Sequence, residues 1–259
     1  MLNYYCTKVR PKIKHIGRVI GIKPSQSRPV KKMPEDFDEQ TTLIVDTVNE
    51  YTMTSPERIQ ALIDAVRYVV ANKIEGDLVE CGVWRGGSMM AAALTLKSLG
   101  DEQRSLYLYD TFEGMSAPTS EDVARDGQKA EKKFSNRRLS EDTSDWCRSP
   151  IDDVKANLVT TGYSANKMHF IKGKVEDVIP EHMPAGPVAI LRLDTDWYES
   201  TRHEMQYLYP RLVRNGVLII DDYGHWQGAR KAIDEYIAEH NLCLLLNRID
   251  DSGRIAVKR

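Results

Sequence analysis

The chain has 259 residues, of which 41% are hydrophobic and 29% are charged, and its formal net charge is -2. This length fits one α/β domain with an appendage, and the balance of residue types suits a protein with an ordinary core. The small net charge gives no general attraction to nucleic acid or to an anionic membrane. Since the sequence contains no run of about 18 apolar residues, a spanning helix is not expected either.

The four cysteines lie far apart and form no C-x-x-C pair. A chain of this length needs no disulfide staples, so we expect reduced thiols and a cytoplasmic location. Residues 8–32 carry nine Lys or Arg residues and no acid. A solvated basic arm and an anion-binding arm remain alternatives for this stretch. We predict that residues 1–53 form an N-terminal arm and lid segment, and that residues 54–259 form the main domain.

The first helix is predicted to begin at Thr54-Ser55-Pro56-Glu57, which offers a hydroxyl cap and a proline in the first turn. One face of this helix carries apolar residues at helical spacing, namely Ile59, Leu62, Ile63, Val66, Val69 and Val70. Beyond Gly76, short apolar runs alternate with helical segments, which predicts a parallel sheet covered on both faces. The predicted strands are Leu78–Cys81, Leu106–Tyr109, His169–Ile171, Val188–Leu193 and Val217–Ile220.

The end of the chain predicts a helix at about Gly228–His240, followed by two strands, Cys243–Ile249 and Arg254–Val257. The turn residues between these strands indicate an antiparallel hairpin at the edge of the sheet. The fold class is therefore α/β, a doubly wound and mostly parallel sheet with a C-terminal antiparallel hairpin.

Residues 114–150 are rich in polar residues, and only Phe134, Leu139 and Trp146 suggest a core-facing stripe. A loop of this length inside a compact domain is usually functional or mobile. We interpret it as a lid insertion over a substrate, with a solvated insertion as the alternative.

The segment from Asp77 to Ser88 has the spacing E-x-G-x-x-x-G-G, in which a buried strand leads through a glycine-bearing turn into a helix. Glycines let a ligand approach the backbone, and the helix start presents free N–H groups. The spacing differs from the G-x-G-x-x-G of a dinucleotide site. An acid at Glu80 suits an adenosyl ligand with a cationic amino-acid tail better than a pyrophosphate. A tight turn without a ligand is the alternative.

The next strand ends at Asp110, about one βαβ unit later, where an acidic side chain typically accepts hydrogen bonds from ribose hydroxyls. Thr111, Phe112 and Gly114 follow Asp110, and we expect them to complete the wall of the same ribose site. Together with Glu80, this acid predicts a bound nucleoside.

Two pairs of acids follow neighbouring predicted strands, Asp194 with Asp196 and Asp221 with Asp222. Parallel strands place their carboxyl ends at one edge, so we expect four unpaired anions there, which repel one another without a cation. Oxygen ligands favour Mg²⁺, and no His or Cys cluster competes; helix caps are the alternative for each pair. We assign Asp194, Asp221 and Asp222 to the metal and Asp196 to the base, and the roles of Asp194 and Asp196 are open to exchange. His225 is the histidine nearest this edge.

Three other functions are compatible with the same sequence. A metal-dependent glycosyltransferase could use the D-x-D of Asp194 and Asp196, although the Glu80 turn offers no rationale for a diphosphate. A nicotinamide dehydrogenase would share the sheet but lacks the G-x-G-x-x-G turn. A non-catalytic sensor would need neither a base nor the acidic edge.

The run Tyr51–Arg58, the block Val79–Met90 and the two acidic pairs together resemble the macrocin O-methyltransferase family, which contains sugar O-methyltransferases of macrolide and aminocoumarin pathways. The resemblance covers residues 35–259 and implies a Rossmann-like class I methyltransferase domain. It implies S-adenosylmethionine as methyl donor, Mg²⁺, a sugar hydroxyl on a glycosylated natural product such as a macrolide as acceptor, and a homo-oligomer.

The resemblance also implies site residues, which add to those derived above. The expected cofactor-binding residues are Thr52, Met53, Ser55, Glu80, Cys81, Gly82, Gly87, Ser88, Asp110, Thr111, Phe112 and Gly173. The expected substrate-contacting residues are Tyr51, Glu141 and Trp197. The identity of the acceptor, the hydroxyl that is methylated and the role of the basic arm do not follow from the sequence.

Overall fold

A computed structural model describes residues 33–259, which form one compact unit; the basic stretch 8–32 lies outside the described residues. None of the helices in this described part is long and apolar enough to cross a membrane. Its helices are α1 (Glu39–Val48), α2 (Pro56–Ala71), α3 (Gly87–Leu99), α4 (Ala130–Asn136), α5 (Ile151–Val159), α6 (Val175–Val178), α7 (Tyr198–Tyr207) and α8 (Gln227–Glu239). Its strands are β1 (Asp77–Cys81), β2 (Leu106–Asp110), β3 (Met168–Lys172), β4 (Val188–Leu193), β5 (Leu212–Ile220), β6 (Asn247–Arg248) and β7 (Arg254–Val257).

The seven strands form one sheet in the order β3-β2-β1-β4-β5-β7-β6. The strands β1 to β5 pair in parallel, while β7 pairs antiparallel with β5 and with β6. Apolar clusters cover the two faces of the sheet. All five parallel strands lie where the sequence predicts them, and the predicted α/β fold class is confirmed.

The C-terminal hairpin is shorter than predicted. The sequence places a strand at Cys243–Ile249, but only β6 at Asn247–Arg248 pairs with β7. The preceding leucines Leu242, Leu244 and Leu246 are half-buried against one face of the sheet. These leucines alternate because the extended segment before β6 packs one side against the sheet, although it forms no ladder hydrogen bonds. The strand prediction is therefore wrong for this segment.

Helix α2 begins as its sequence predicts. The Ser55 side chain accepts a hydrogen bond from the backbone N–H of Arg58 at 3.1 Å, and Pro56 occupies the first turn. Such a cap satisfies one of the free N–H groups of the first turn. The residues of its predicted apolar face that are fully buried are Ile59, Leu62, Ile63, Val66 and Val69.

Helix α1 lies in the segment that the sequence assigns to the arm. Asp38 caps it by accepting from the backbone N–H of Thr41 at 2.7 Å. Ile44, Val45 and Val48 join the apolar cluster beneath α2 and α3. This helix packs onto the main body. The sequence does not predict it, because its apolar stripe is short and directly follows an acidic run.

The segment 114–150 is anchored over one end of the sheet. Trp146 contacts Trp197 and Trp226, with ring centroids 5.5 and 6.1 Å apart, and the three indoles form a small separate core. Phe134 is buried as predicted, but Leu139 is 62% exposed, so its assignment to a core-facing stripe is wrong. Leu139 follows the end of α4, where a turn directs it to solvent.

Candidate active site

The turn after β1 has a left-handed backbone at several positions. The φ angles are +81° at Gly82, +47° at Trp84 and +89° at Gly86. A left-handed conformation is rare for a bulky residue such as tryptophan, so it must be held by surrounding bonds. The Asp110 carboxylate holds it by accepting from the N–H groups of Val83 at 2.6 Å and Trp84 at 3.0 Å.

The same carboxylate also accepts from the backbone N–H of Phe112 at 2.7 Å. Asp110 thus ties the end of β2 to the turn after β1. The Thr111 hydroxyl lies 3.4 Å from the oxygen that accepts from Phe112 and donates at the shorter distance of 2.6 Å to the Gly114 carbonyl, so a ligand hydroxyl that binds Asp110 would take the place of this long contact. Asp110 borders an open cleft, as its predicted role in nucleoside binding requires.

Glu80 lies beneath this turn and is only 1% exposed. It accepts a hydrogen bond at 2.7 Å from Nη1 of Arg192, which stands opposite it in the register of β1 and β4. Burial raises the pKa of Glu80 to about 7, although Arg192 opposes that rise. The structure directs this acid towards an internal arginine and not into an open cleft.

Arg192 also pairs with two acids of the predicted metal site. It donates to Asp194 at 2.6 Å and to Asp221. Arg58, from the first turn of α2, pairs with Asp221 and donates from Nε to Asp250 at 2.9 Å. The expectation of four unpaired anions is therefore wrong for Asp194 and Asp221.

Strand geometry explains why Arg192 reaches Asp194. Asp194 directly follows β4 and still donates its backbone N–H to the carbonyl of Cys81 at 2.8 Å, so the alternation of the strand continues and places Arg192 and Asp194 on the same face. The sequence does carry a signal for this pairing, because an arginine inside the apolar strand Val188–Leu193 has to find acidic partners when it is buried.

The predicted metal ligands nevertheless come together. One carboxylate oxygen each from Asp194, Asp221 and Asp222 lies within 4.8 Å of the other two. The Oδ2 atom of Asp222 is buried and has no hydrogen-bond partner in the described part of the chain. An orphaned buried carboxylate oxygen beside two further carboxylates fits a hard divalent cation such as Mg²⁺.

Asp196 lies beside this cluster with a left-handed φ of +71°. Burial raises its pKa to about 7; hydrogen bonding to Asp222 opposes the rise, and the charge of Asp194 adds to it. A carboxyl group that titrates near neutral pH is suited to accept a proton. The loop is supported from below by Glu204, which accepts from the Thr195 hydroxyl at 2.9 Å.

Two clefts open on this edge of the sheet. The first cleft encloses about 720 Å³ of space, including space open to solvent. It is lined by the predicted cofactor residues Met53, Gly82, Asp110, Thr111 and Gly173, together with Trp84, Cys147, Lys174, Glu176, Asp194, Thr195 and Asp196. The second cleft is lined by Tyr51, Thr52, Met53, Thr54, Arg58, Trp84, Ser88, Lys133, Trp146, Cys147, His225 and Trp226, with Asp194, Asp196, Asp221 and Asp222 at its base.

Other predicted site residues lie behind the cleft walls. Cys81 and Phe112 are buried in the core, and Gly87 packs against the backbone of Tyr51. The hydroxyl of Ser55 donates to Asp250 at 2.7 Å. These residues and Glu80 support the walls of the first and second clefts but do not line them.

Two predicted substrate residues lie outside both clefts. Glu141 is exposed and lies near Arg138 and Phe134. Trp197 is buried, and its Nε1 donates to the carbonyl of Ser116 at 3.1 Å. Tyr51 alone among the three expected substrate residues lines the second cleft.

Sequence reasoning missed much of the second cleft. Lys133 lies over the Trp146 ring at 4.0 Å, and Trp226 lies beside them. Burial lowers the pKa of His225, which keeps its imidazole neutral near pH 7. Lys133 and Trp146 belong to the segment 114–150, whereas His225 and Trp226 follow β5, so no local motif in the sequence joins all four; the sequence places only His225 near this edge.

Comparison with known proteins agrees with this geometry. The sequence profile of the macrocin O-methyltransferase (TylF) family matches residues 8–257. The 8-demethyl-8-(2,3-dimethoxy-alpha-L-rhamnosyl)-tetracenomycin-C 4'-O-methyltransferase of Streptomyces olivaceus is 34% identical over 203 residues, which are 78% of this chain and 74% of that protein. The mycinamicin III 3''-O-methyltransferase of Micromonospora griseorubida is 30% identical over 203 residues, 78% of this chain and 76% of that protein.

Solved structures show the same architecture. The O-methyltransferase NovP is 30% identical, with a TM-score of 0.69 over 80% of this chain and 82% of that one. The calicheamicin methyltransferase CalS11 shares the fold at 15% identity, with a TM-score of 0.59 over 91% of this chain and 99% of that one. The fold is that of class I, S-adenosylmethionine-dependent methyltransferases. The chain therefore belongs to the macrocin O-methyltransferase family, and it is an O-methyltransferase.

Proposed function

We propose that the protein is a Mg²⁺-dependent sugar O-methyltransferase that takes the methyl group of S-adenosylmethionine. The observation that carries this proposal is the meeting of two clefts at one cluster of carboxylates. A donor and an acceptor can approach each other there from opposite sides. The acidic cluster lies at the point where the acceptor hydroxyl must lose its proton.

The first cleft is proposed to bind the adenosyl donor. Asp110 is oriented to accept from one ribose hydroxyl. Gly82 and Gly173 line the same cleft, where the lack of a side chain lets the Asp194 backbone and the Val178 side chain pack closely against them. Thr52 and Ser88 border the adjoining cleft. Five of the predicted cofactor residues line neither cleft, and we propose that they support the cleft walls from behind. They are Ser55, Glu80, Cys81, Gly87 and Phe112.

Asp194, Asp221 and Asp222 are proposed to hold the metal ion. When bound there, Mg²⁺ supplies Lewis acidity that lowers the pKa of an acceptor hydroxyl. Asp196 is positioned to take the hydroxyl proton. The acceptor oxygen then forms a bond to the methyl carbon as the carbon–sulfur bond breaks, and that electron pair leaves with the sulfur.

The second cleft is proposed to bind the acceptor sugar. Its half-buried aromatic side chains Tyr51 and Trp84 offer apolar surface for a sugar ring, and metal-ligand acids lie at its base. Relatives named for methylation of a rhamnosyl tetracenomycin and of mycinamicin support a sugar on a natural product as acceptor. We further propose a cytoplasmic homo-oligomer, and light scattering of the purified protein tests the assembly.

The first experiment is calorimetric titration with S-adenosylhomocysteine, with NAD and UDP-glucose as controls, each with Mg²⁺ or a chelator. Binding of S-adenosylhomocysteine alone is the expected result, and it is followed by mass spectrometry of glycosylated acceptors incubated with S-adenosylmethionine. Binding of UDP-glucose alone, and only with Mg²⁺, would overturn the proposal.

The metal assignment has its own test in Asp221→Asn. This variant is expected to lose Mg²⁺ stimulation and turnover while its affinity for S-adenosylhomocysteine stays within about threefold. Asp234→Asn is the matched control, because Asp234 lies on α8 and is absent from the linings of both clefts. Full activity of Asp221→Asn would exclude the assignment.

A further inference from the structure

The two clefts share five lining residues, Met53, Trp84, Cys147, Asp194 and Asp196. We call this set the junction. The two acids belong to the segment after β4, whereas the other three side chains come from three different segments. The junction is thus bordered partly by carboxylates and partly by uncharged side chains.

Three junction residues have a left-handed backbone although none of them is glycine. Their φ angles are +47° at Trp84, +56° at Cys147 and +71° at Asp196. Such conformations are unfavourable for residues other than glycine and persist only where the surroundings fix them. For Trp84 the fixing group is the Asp110 carboxylate, which accepts from its N–H.

Cys147 forms part of the wall of both clefts. Burial raises the pKa of its thiol to about 12, with the charge of Asp196 adding to the rise. A neutral thiol is a small and weakly polar group. The Trp146 ring next to it in sequence is locked in the three-indole cluster, so the position of Cys147 is determined by packing.

Methyl transfer requires the sulfur, the methyl carbon and the acceptor oxygen to lie in line across the boundary between donor and acceptor, with reacting atoms about 3–3.5 Å apart. The junction is that boundary, and its acidic part is assigned to the metal and the base. We propose that Trp84 and Cys147, with Met53, form a window whose width limits the size of the alkyl group that the donor can carry. This inference rests on the proposed function, because it assumes a sulfonium donor in the first cleft.

The test compares the affinities of S-adenosylmethionine and S-adenosylethionine, which differ by one methylene at the window. S-adenosylhomocysteine carries no alkyl group there and serves as the internal control. Calorimetry gives all three dissociation constants without an identified acceptor. The variants are Cys147→Gly, Cys147→Leu and Trp84→Phe.

Glycine suits the left-handed φ of position 147 and removes the thiol, so Cys147→Gly widens the window without adding strain. One methylene in a pocket is worth about 10- to 200-fold in discrimination. The preference for the methyl over the ethyl donor is therefore expected to fall about tenfold in Cys147→Gly and in Trp84→Phe.

Cys147→Leu narrows the same window. It is expected to weaken binding of S-adenosylmethionine by at least about tenfold while the affinity for S-adenosylhomocysteine stays within about threefold, which also shows that the variant is folded. Cys243→Gly is the matched control, because Cys243 is exposed and lines neither cleft; it should leave all three constants unchanged.

The outcomes separate the two proposals. An unchanged preference in both Cys147→Gly and Trp84→Phe, with normal binding of S-adenosylhomocysteine, would overturn the window and leave the proposed function standing. Failure of the native protein to bind either sulfonium donor or S-adenosylhomocysteine would overturn the proposed function and the window with it.

Discussion

Replacing Arg192 by methionine removes the cation that three carboxylates share. Arg192 is 1% exposed and pairs with Glu80, Asp194 and Asp221. Removing one partner of a buried ion pair typically costs about 3–5 kcal/mol, because the remaining charge is left without compensation. For a domain of this size, 1 kcal/mol corresponds to roughly 2–4 °C, so the unfolding temperature of Arg192→Met at pH 8 should fall by roughly 6–20 °C.

The loss should depend on pH in a defined direction. The pKa of Glu80 is raised to about 7 in the folded chain by burial, above its usual value near 4.3. The contribution of Glu80 to the free energy of unfolding is therefore fully present at low pH and is lost as the pH rises through about 7. A protonated Glu80 needs no cation, so Arg192→Met should cost less at pH 5.5 than at pH 8.

Thermal unfolding followed by circular dichroism at both pH values measures these effects. Arg202→Met is the matched control, because Arg202 is exposed on α7 and should change the free energy of unfolding by less than about 0.5 kcal/mol. A cost below about 1 kcal/mol for Arg192→Met at pH 8, or an equal cost at both pH values, would refute the role of Arg192 as a shared counter-charge.

Asp196→Asn should lower kcat by about 10²- to 10⁴-fold with S-adenosylhomocysteine affinity retained, because the amide cannot take the hydroxyl proton; retention of kcat in a methyl-transfer assay would reject Asp196 as base. Burial raises the pKa of Glu204 well above its ordinary value. Glu204→Gln should therefore not lower the free energy of unfolding at pH 7, because glutamine is neutral and removes the cost of protonating the buried carboxyl; a loss above about 1 kcal/mol in denaturant titration would show that the native carboxyl is ionised. Gly87→Ala would place a Cβ 2.6 Å from the carbonyl oxygen of Tyr51, so it should cost about 1–3 kcal/mol and raise the acceptor KM; wild-type stability and KM would contradict that contact.

Features encoded by neighbouring residues were predictable from the sequence. The Ser55 cap and the apolar face of α2 depend on spacings within one helix, and the five parallel strands depend on short apolar runs. The cluster of Asp194, Asp221 and Asp222 also followed, because parallel strands bring their carboxyl ends to one edge.

Features that depend on strand register or on distant packing were not predictable. Glu80 meets Arg192 only because β1 and β4 pair in a particular register. Arg58 reaches Asp221 across more than 160 positions of sequence. Trp146 and Trp226 come together through the fold of the segment 114–150, for which the sequence offers no periodic pattern.

The Asp110 bonds have a consequence for the thermodynamics of donor binding. The carboxylate and the three N–H groups that it accepts from all belong to the chain, so the turn after β1 needs no ligand to keep its shape. A pre-shaped site avoids most of the entropy cost of ordering a loop. The heat-capacity change of donor binding should then carry no contribution from ordering of this turn, and the association rate should not be slowed by a folding step.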